Sequence, residues 1–368
     1  MRLTLTILVV LAVAAGVLLG AGAARGAAAD STEQRRTSLV ALPFAYYTPE
    51  TKFAFGGGGV YSFRPRDSAG FDRPSSVRLA ATYTQLNQMI LGLMPEIYLK
   101  GGRYYFSAFY GYYKFPNKFW GIGGGTADDA EEHYEQNDFE SYTNVQSLVA
   151  PGLFVGIRGQ FQHVNVKKPD SDGALARREI LGTRGGAASG IGVVVSYDTR
   201  NHVYQPSSGF NNQLFAVFFG KLTGSDFAFT LLSVDLRYYV PVFGSHVVAF
   251  QTYDTVILGE APFQMLSLLG GSYSMRGYYK GRYRDRNMLS LQAEYRAPLF
   301  WRIGAVAFAG AGDVSGELAD FRVDRLKPSV GVGLRFTFDA RERINARLDF
   351  GFGKDDNSGI YAMVLEAF

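Results

Sequence analysis

The sequence of 368 residues contains no cysteine. This absence excludes disulfide bonds, thiolate metal sites and a lipid anchor on an N-terminal cysteine. The histidines are few, and they lie far apart without the spacing of metal ligands: His133, His163, His202 and His246. We therefore expect neither a metal ion nor another cofactor.

Long apolar runs are missing after residue 30. No apolar stretch there reaches about 18 residues, the length that indicates a transmembrane helix. A strand of a closed barrel crosses a bilayer with only about 9–11 residues, because side chains that face lipid alternate with side chains that face the lumen. Any membrane-spanning part of this chain must therefore be a barrel, since barrels and helices alone satisfy every backbone group in lipid.

A concentrated block of basic residues is also missing. The formal net charge is +4, but lysine and arginine are scattered among aspartate and glutamate. Nucleic-acid binding is therefore not expected. No ordered set of serine, histidine and aspartate and no pair of catalytic carboxylates stands out, so we expect no enzymatic activity and assign no catalytic residue.

The N-terminal section has the layout of a secretory signal peptide. Arg2 leads into an uncharged apolar run over residues 3–19, and small residues follow up to Ala29. This order predicts a signal peptide over residues 1–29, cleaved after Ala23 or after Ala29. An uncleaved membrane anchor is the alternative.

Apolar and polar residues alternate in segments of about ten residues in the C-terminal half. From residue 288 to 296 the apolar face carries leucine, alanine and tyrosine, and the polar face carries Ser290, Gln292, Glu294 and Arg296. The same alternation occurs over residues 232–240, 329–338 and 343–352. The polar faces hold charges of both signs deep within the strands, which is typical of a barrel lumen and places Glu294 inward.

Compact turns alternate with long polar connections, as in bacterial outer-membrane barrels. With both termini in the periplasm, the count from Ser38 gives about 16 strands. The sequence therefore predicts an all-β fold, a transmembrane antiparallel barrel over residues 38–368. A short periplasmic lead, residues 30–37, precedes it and leaves no room for a periplasmic domain. The segment Glu260–Arg286 becomes the sixth extracellular loop.

The sixth loop contains Arg276-Gly277-Tyr278, and Gln292-Ala293-Glu294-Tyr295-Arg296 follows on the next strand. A solvated surface loop would be the ordinary interpretation of such a glycine-flanked arginine. Together, however, these two motifs resemble the signature of the BamA/TamA superfamily, also called the bacterial surface antigen family. The resemblance runs from about Leu42 to Phe368, and further motifs of that family support it: 120–124, 197–201, 205–210 and 365–368.

The resemblance implies that the sixth loop folds into the lumen, with Arg276 against the inner wall. Alternation independently places Glu294 inward, so we predict an Arg276–Glu294 pair. One feature departs from the family pattern: Gly310 stands where the family usually has an aspartate as a second partner of the arginine, and Asp313 is three residues away on the opposite face. This departure predicts a weaker or differently built lock.

Two further groups of residues have a functional and a structural interpretation. Asp198 and Arg200 match a periplasmic turn motif of the family, and an aspartate in such a turn commonly bonds its own backbone. Phe368 resembles the aromatic end that the barrel assembly machinery recognises, and it is alternatively the last lipid-facing residue of a closing strand over 359–368.

The resemblance favours a barrel for protein assembly, insertion or translocation in the bacterial outer membrane. Its partners would be outer-membrane lipid, unfolded outer-membrane or secreted proteins, and a periplasmic protein. The alternative is a stable pore, surface antigen or scaffold whose sixth loop acts as a plug.

Overall fold

The computed structural model describes residues 37–65, 73–339 and 343–368. The predicted signal peptide and residues 30–36 of the predicted lead lie outside the described residues. The strands are β1 (Thr37–Thr48), β2 (Lys52–Phe63), β3 (Ser75–Thr84), β4 (Met89–Leu99), β5 (Tyr104–Phe119), β6 (Glu132–Ala150), β7 (Leu153–Lys167), β8 (Gly186–Asp198), β9 (Gly209–Phe219), β10 (Ala228–Pro241), β11 (Val247–Glu260), β12 (Ser267–Leu269), β13 (Tyr283–Asp285), β14 (Asn287–Phe300), β15 (Ile303–Ser315), β16 (Lys327–Asp339), β17 (Ile344–Gly353) and β18 (Ser358–Val364).

Helical structure among these residues is confined to short turns. One α-helical turn, α1, covers Ala174–Arg177, and 3₁₀ turns cover Asp128–Ala130, Lys221–Thr223, Phe263–Met265, Leu318–Asp320 and Val323–Arg325. In the described part of the chain, no helix is both long enough and apolar enough to cross a bilayer.

Sixteen of the strands close into one antiparallel barrel in sequence order, with β11 paired to β14 and β18 paired to β1. The two remaining strands, β12 and β13, pair with each other inside the connection between β11 and β14. The prediction of an all-β antiparallel barrel of about 16 strands is confirmed.

The alternation read from the sequence sets the two faces of the wall. On β14, Ser290, Gln292, Glu294 and Arg296 are buried inside the barrel, whereas Leu291 is exposed on the outside. β16 and β17 follow the same rule. The outer face therefore presents apolar side chains to lipid, and the inner face collects the charges.

Residues 261–286, called loop 6 below, lie within the barrel and not above it. Leu269, Met275 and Tyr278 of this loop are fully buried and pack with Met288 and Val314 of the wall. At the extracellular end, Phe263 and Leu266 join a second apolar cluster with Phe119, Tyr134, Leu175, Ala188, Val217, Phe219, Phe229 and Ile257. Loop 6 thus fills space that the strands alone would leave open.

The junction of β1 and β18, called the seam below, is the least regular part of the wall. β1 pairs with β2 along its whole length, but towards β18 the ladder among the described residues is limited to Tyr47 opposite Ala362. The predicted closing strand over 359–368 is wrong at its end, because β18 stops at Val364. Leu365 has a φ of 71°, and the residues after it turn into the lumen.

Candidate functional site

The main chain of loop 6 lies directly on β17, and glycines make this contact possible. A Cβ at Gly351 would lie 2.7 Å from both Arg276 C and Gly277 N, so any side chain there would displace the loop. Gly277 has a φ of 114°, a conformation that favours glycine. These glycines place the Arg276 side chain among the inward-facing residues of the C-terminal strands.

Arg276 contacts two carboxylates from different strands. Its Nη2 lies 2.6 Å from Glu294 Oε2 on β14, and its Nη1 lies 2.6 Å from Asp349 Oδ2 on β17. All three side chains are fully buried. The guanidinium also lies 3.6 Å from the ring centre of Phe308, a cation–π contact on its flat face.

Other buried charges surround these carboxylates. Arg335 Nη1 and Arg347 Nη1 donate to Asp349 at 2.5 and 3.0 Å, and Arg296 Nε donates to Glu294 at 2.8 Å. Glu366 completes the set through Arg335 Nε at 2.7 Å. We call this set the loop network: Arg276, Glu294, Arg296, Arg335, Arg347, Asp349 and Glu366. Four arginines face three side-chain carboxylates, and main-chain oxygens of Ser272 and Phe368 accept further guanidinium hydrogen bonds.

Tyrosine hydroxyls hold the loop backbone. The N–H of Gly277 donates to the Tyr361 hydroxyl on β18 at 2.9 Å, and the Tyr278 hydroxyl donates to Pro328 O on β16 at 2.7 Å. Burial raises the pKa of Tyr278 above its ordinary value. The N–H of Lys354 in turn donates to the same oxygen at 2.7 Å.

The predicted loop residues Arg276, Gly277, Tyr278 and Glu294 are thus brought together in one place. Asp349 is the second acidic partner, a role that the sequence motifs did not predict. Its signal was its position on the polar face of the alternating segment 343–352. Gly310 makes no ionic contact, and Asp313 pairs instead with Lys327 at 2.5 Å.

The motif at residues 120–124 supports loop 6 from the extracellular side. The N–H of Gly123 donates to Arg284 O at 2.8 Å, and the Trp120 ring packs edge-on against Tyr279 at 5.4 Å. Arg284 Nη2 donates to Lys118 O at 3.1 Å. These contacts fix the returning half of the loop.

Asp198 and Arg200 lie at the opposite, periplasmic rim. Asp198 Oδ1 accepts from the N–H of Arg200 at 3.1 Å and from its Nε at 3.0 Å. Asp198 Oδ2 accepts from Arg73 Nη1 at 2.6 Å, which ties the turn after β8 to the connection before β3. The contacts with Arg200 stabilise the turn itself. The contact with Arg73, called the Arg73–Asp198 brace below, joins two neighbouring connections of the rim.

Phe368 does not face lipid, so that interpretation is wrong. Its side chain is 4% exposed and packs inside the barrel with Tyr239, Val247, Ala249 and Ala367. Arg296 Nη2 donates to the main-chain oxygen of Phe368 at 2.7 Å. The reason is the turn at Leu365, which takes the chain away from the wall.

Comparison with known proteins gives one family and several related folds. The family model of the Omp85 superfamily domain matches residues 72–361. A search of the curated proteins found no match.

Solved structures with a similar fold include BamA from Haemophilus ducreyi, in a form lacking POTRA domains 1-3. It has 14% identity and a TM-score of 0.60, and the match covers 90% of this chain and 70% of that chain. CdiB from Acinetobacter baumannii has 14% identity and a TM-score of 0.56, covering 89% and 59%. CdiB from Escherichia coli has 11% identity and a TM-score of 0.59, covering 91% and 63%. The chain therefore spans between 59% and 70% of the length of these structures.

Proposed function

The chain belongs to the Omp85 superfamily, and we propose that it assembles or translocates proteins. In this proposal the first and last strands part to admit a substrate strand. It is an outer-membrane β-barrel. Members of the superfamily are assembly or transport factors, so we propose no catalytic step.

The short pairing between β1 and β18 at the seam is the main support for this proposal. Apart from Tyr47, no residue of β1 is paired with β18 in the described part of the chain, so the edge over residues 37–44 keeps free main-chain donors and acceptors. Such an edge is a template for another strand, which would add to the sheet by β-augmentation. Pro43, which lacks an N–H, lies on this strand, in keeping with an edge position.

Loop 6 also has a role in the proposed mechanism. We assign Arg276, Gly277, Tyr278 and Glu294 the role of a lock that keeps the loop in the lumen while the seam changes. The contacts of Arg276 tie β14 to β17, the strand beside β18. Because β14 and β17 are held in this way, we expect movement at the seam to be confined to β18 and β1.

The proposed clients are unfolded outer-membrane or secreted proteins, delivered by a periplasmic partner protein. We assign Phe368 and the turn with Asp198 and Arg200 no direct contact with clients, since both are engaged in internal contacts. The Arg73–Asp198 brace would instead stiffen the periplasmic rim on which a partner docks.

The first experiment is depletion of the protein in its host, followed by quantitative proteomics of the outer membrane. Selective loss of particular barrel or surface proteins is expected, and it would identify the clients. An unchanged proteome would contradict the assembly proposal.

A disulfide test addresses the seam itself, because the chain has no other cysteine. Tyr47→Cys with Ala362→Cys bridges the seam, since facing residues of antiparallel strands lie within about 4.5–5.5 Å between Cα atoms. Tyr47→Cys with Phe53→Cys is the matched control on the continuous β1–β2 ladder. Oxidation should stop client assembly only in the seam pair, and a reductant should restore it.

The alternative is a stable pore or scaffold with loop 6 as its plug. The burial of the loop network favours it, because a firmly held loop narrows the lumen to a constant width. Purified barrel in planar bilayers should then conduct steadily, and more so after Arg276→Ala. A silent barrel in both forms would contradict the pore.

A further inference from the structure

The segment Leu365–Phe368, called the terminal segment below, lies inside the barrel instead of completing the seam. The positive φ of Leu365 starts the turn, and its N–H donates to Asn345 O at 2.8 Å. Asn345 Nδ2 also donates to Glu366 Oε1 at 2.6 Å. A non-glycine residue in this conformation is uncommon and needs surrounding contacts to hold it.

Two arginines supply those contacts. Arg335 Nε donates to Glu366 Oε2 at 2.7 Å, and Arg296 Nη2 donates to the main-chain oxygen of Phe368 at 2.7 Å. Glu366 and both arginines are buried. Charge-assisted hydrogen bonds in such surroundings are stronger than neutral ones, so they offset the missing ladder with β1.

The same two arginines also hold the carboxylates that bind Arg276. Arg335 donates to Asp349, and Arg296 donates to Glu294. If Arg276 is removed, Glu294 and Asp349 lose a cation and attract these arginines more strongly, at the expense of the terminal segment. If the charge of Glu366 is removed, the four arginines face two side-chain carboxylates, and repulsion on Arg276 increases.

We propose that the terminal segment is a latch coupled to loop 6 through Arg335 and Arg296. With the latch inside, the β1 edge is open; with the latch released and extended, the register of Tyr47 with Ala362 places residues 365–368 opposite residues 44–41 and covers that half of the edge. The position of loop 6 therefore regulates access to the strand edge. The biological role of the latch rests on the proposed function, but its coupling to loop 6 is testable without a client.

Two cysteine pairs that share Ala367→Cys report the two positions. Ala249→Cys with Ala367→Cys, the inside pair, joins residues that pack together in the present structure. Leu42→Cys with Ala367→Cys, the extended pair, joins residues that face each other only in an extended β18. A short bismaleimide should cross-link the inside pair predominantly in the native barrel. Predominant cross-linking of the extended pair would overturn the proposal.

Coupling is tested by introducing Arg276→Ala into both pairs, with Arg78→Ala as the matched control. Arg78 is a lumenal arginine that pairs with Glu96, outside the loop network. Arg276→Ala should shift the ratio of the two cross-links towards the extended pair by about 5-fold or more, the lower end of coupling between two sites. Arg78→Ala should leave the ratio unchanged. An unchanged ratio in a folded Arg276→Ala barrel would overturn the coupling.

The reciprocal experiment covers the case in which Arg276→Ala does not fold. Glu366→Gln removes one charge at nearly constant size, and Met275→Cys provides a fully buried reporter in loop 6. Maleimide labelling of Met275→Cys should accelerate about 5-fold or more in the Glu366→Gln barrel, because coupling is reciprocal. An unchanged labelling rate would contradict the latch. The expected cross-linking and labelling, found for a protein whose depletion leaves the outer-membrane proteome unchanged, would contradict the proposed function alone.

Discussion

The two halves of the lumen use the same residue types with different results. On β3 and β4, Arg78 Nη2 lies 2.5 Å from Glu96 Oε1, and the two side chains are 31% and 36% exposed. In the C-terminal half, Arg276 forms equally short ion pairs with Glu294 and Asp349, and all three side chains are 0% exposed. The difference is loop 6, which covers only the second set. We therefore expect burial by the loop, and not the charge pattern of the strands, to decide which lumenal ion pairs contribute strongly to stability.

Arg276→Ala gives the largest expected effect. Removal of one partner of a buried ion pair typically costs about 3–5 kcal/mol, because the remaining carboxylates stay buried without compensation. Urea unfolding of the purified barrel in detergent should show a loss of this order. Equal losses for Arg276→Ala and Arg78→Ala would contradict the role of burial by loop 6.

Gly351→Ala tests the backbone contact that positions Arg276. The new Cβ would meet the main chain of loop 6 at 2.7 Å, and overpacking against backbone typically costs about 1–3 kcal/mol. Gly57→Ala on β2 is the matched control, since nothing lies within 4 Å of its Cβ position. Similar unfolding midpoints for the two variants would show that loop 6 does not rest on β17.

Tyr361→Phe tests one buried hydrogen bond of the same half. It leaves the N–H of Gly277 without its partner, which should cost about 1 kcal/mol or somewhat more. Tyr83→Phe, on the exposed outer face, removes a hydrogen bond to Asn87 Oδ1 and should be close to neutral. Equal effects in denaturant unfolding would contradict the assignment of burial as the cause.

Arg78→Ala gives the smallest effect, at most about 1 kcal/mol, since an exposed ion pair contributes little. High salt should separate the two ion pairs further, because about 1 M salt shortens the Debye length to roughly 3 Å and screens exposed pairs more than buried ones. The effect of Arg78→Ala should vanish in high salt, and that of Arg276→Ala should persist. Equal salt sensitivity would mean that water reaches the loop network.

The wall was predictable because strand geometry has a fixed period of two residues. The alternation over 288–296, 329–338 and 343–352 identified the inward faces of β14, β16 and β17, and with them the direction of Glu294. Loop 6 was located from the length of its connection and from its family motif.

The partners within the lumen were not predictable in the same way. Alternation assigns Asp349 and Arg335 to the inner face of the barrel. Which inward-facing side chains of different strands come into contact is decided by the closure of the barrel. The turn at Leu365 has no glycine, proline or asparagine to mark it, so the sequence predicted a strand that continues to Phe368. Contacts between distant parts of the chain, with Arg335 and Arg296, stabilise that turn.

The buried position of Phe368 has a practical consequence for handling the protein. A polyhistidine tag added after this residue would begin at a buried position beside Tyr239, Val247 and Ala249, and it would push Phe368 out of this cluster. In purified protein with such a tag, Phe368 would then lie in a different position from the one described above. An affinity tag inserted in the extracellular connection at residues 316–326, where Leu318 and Val323 are exposed, would leave the cluster around Phe368 intact.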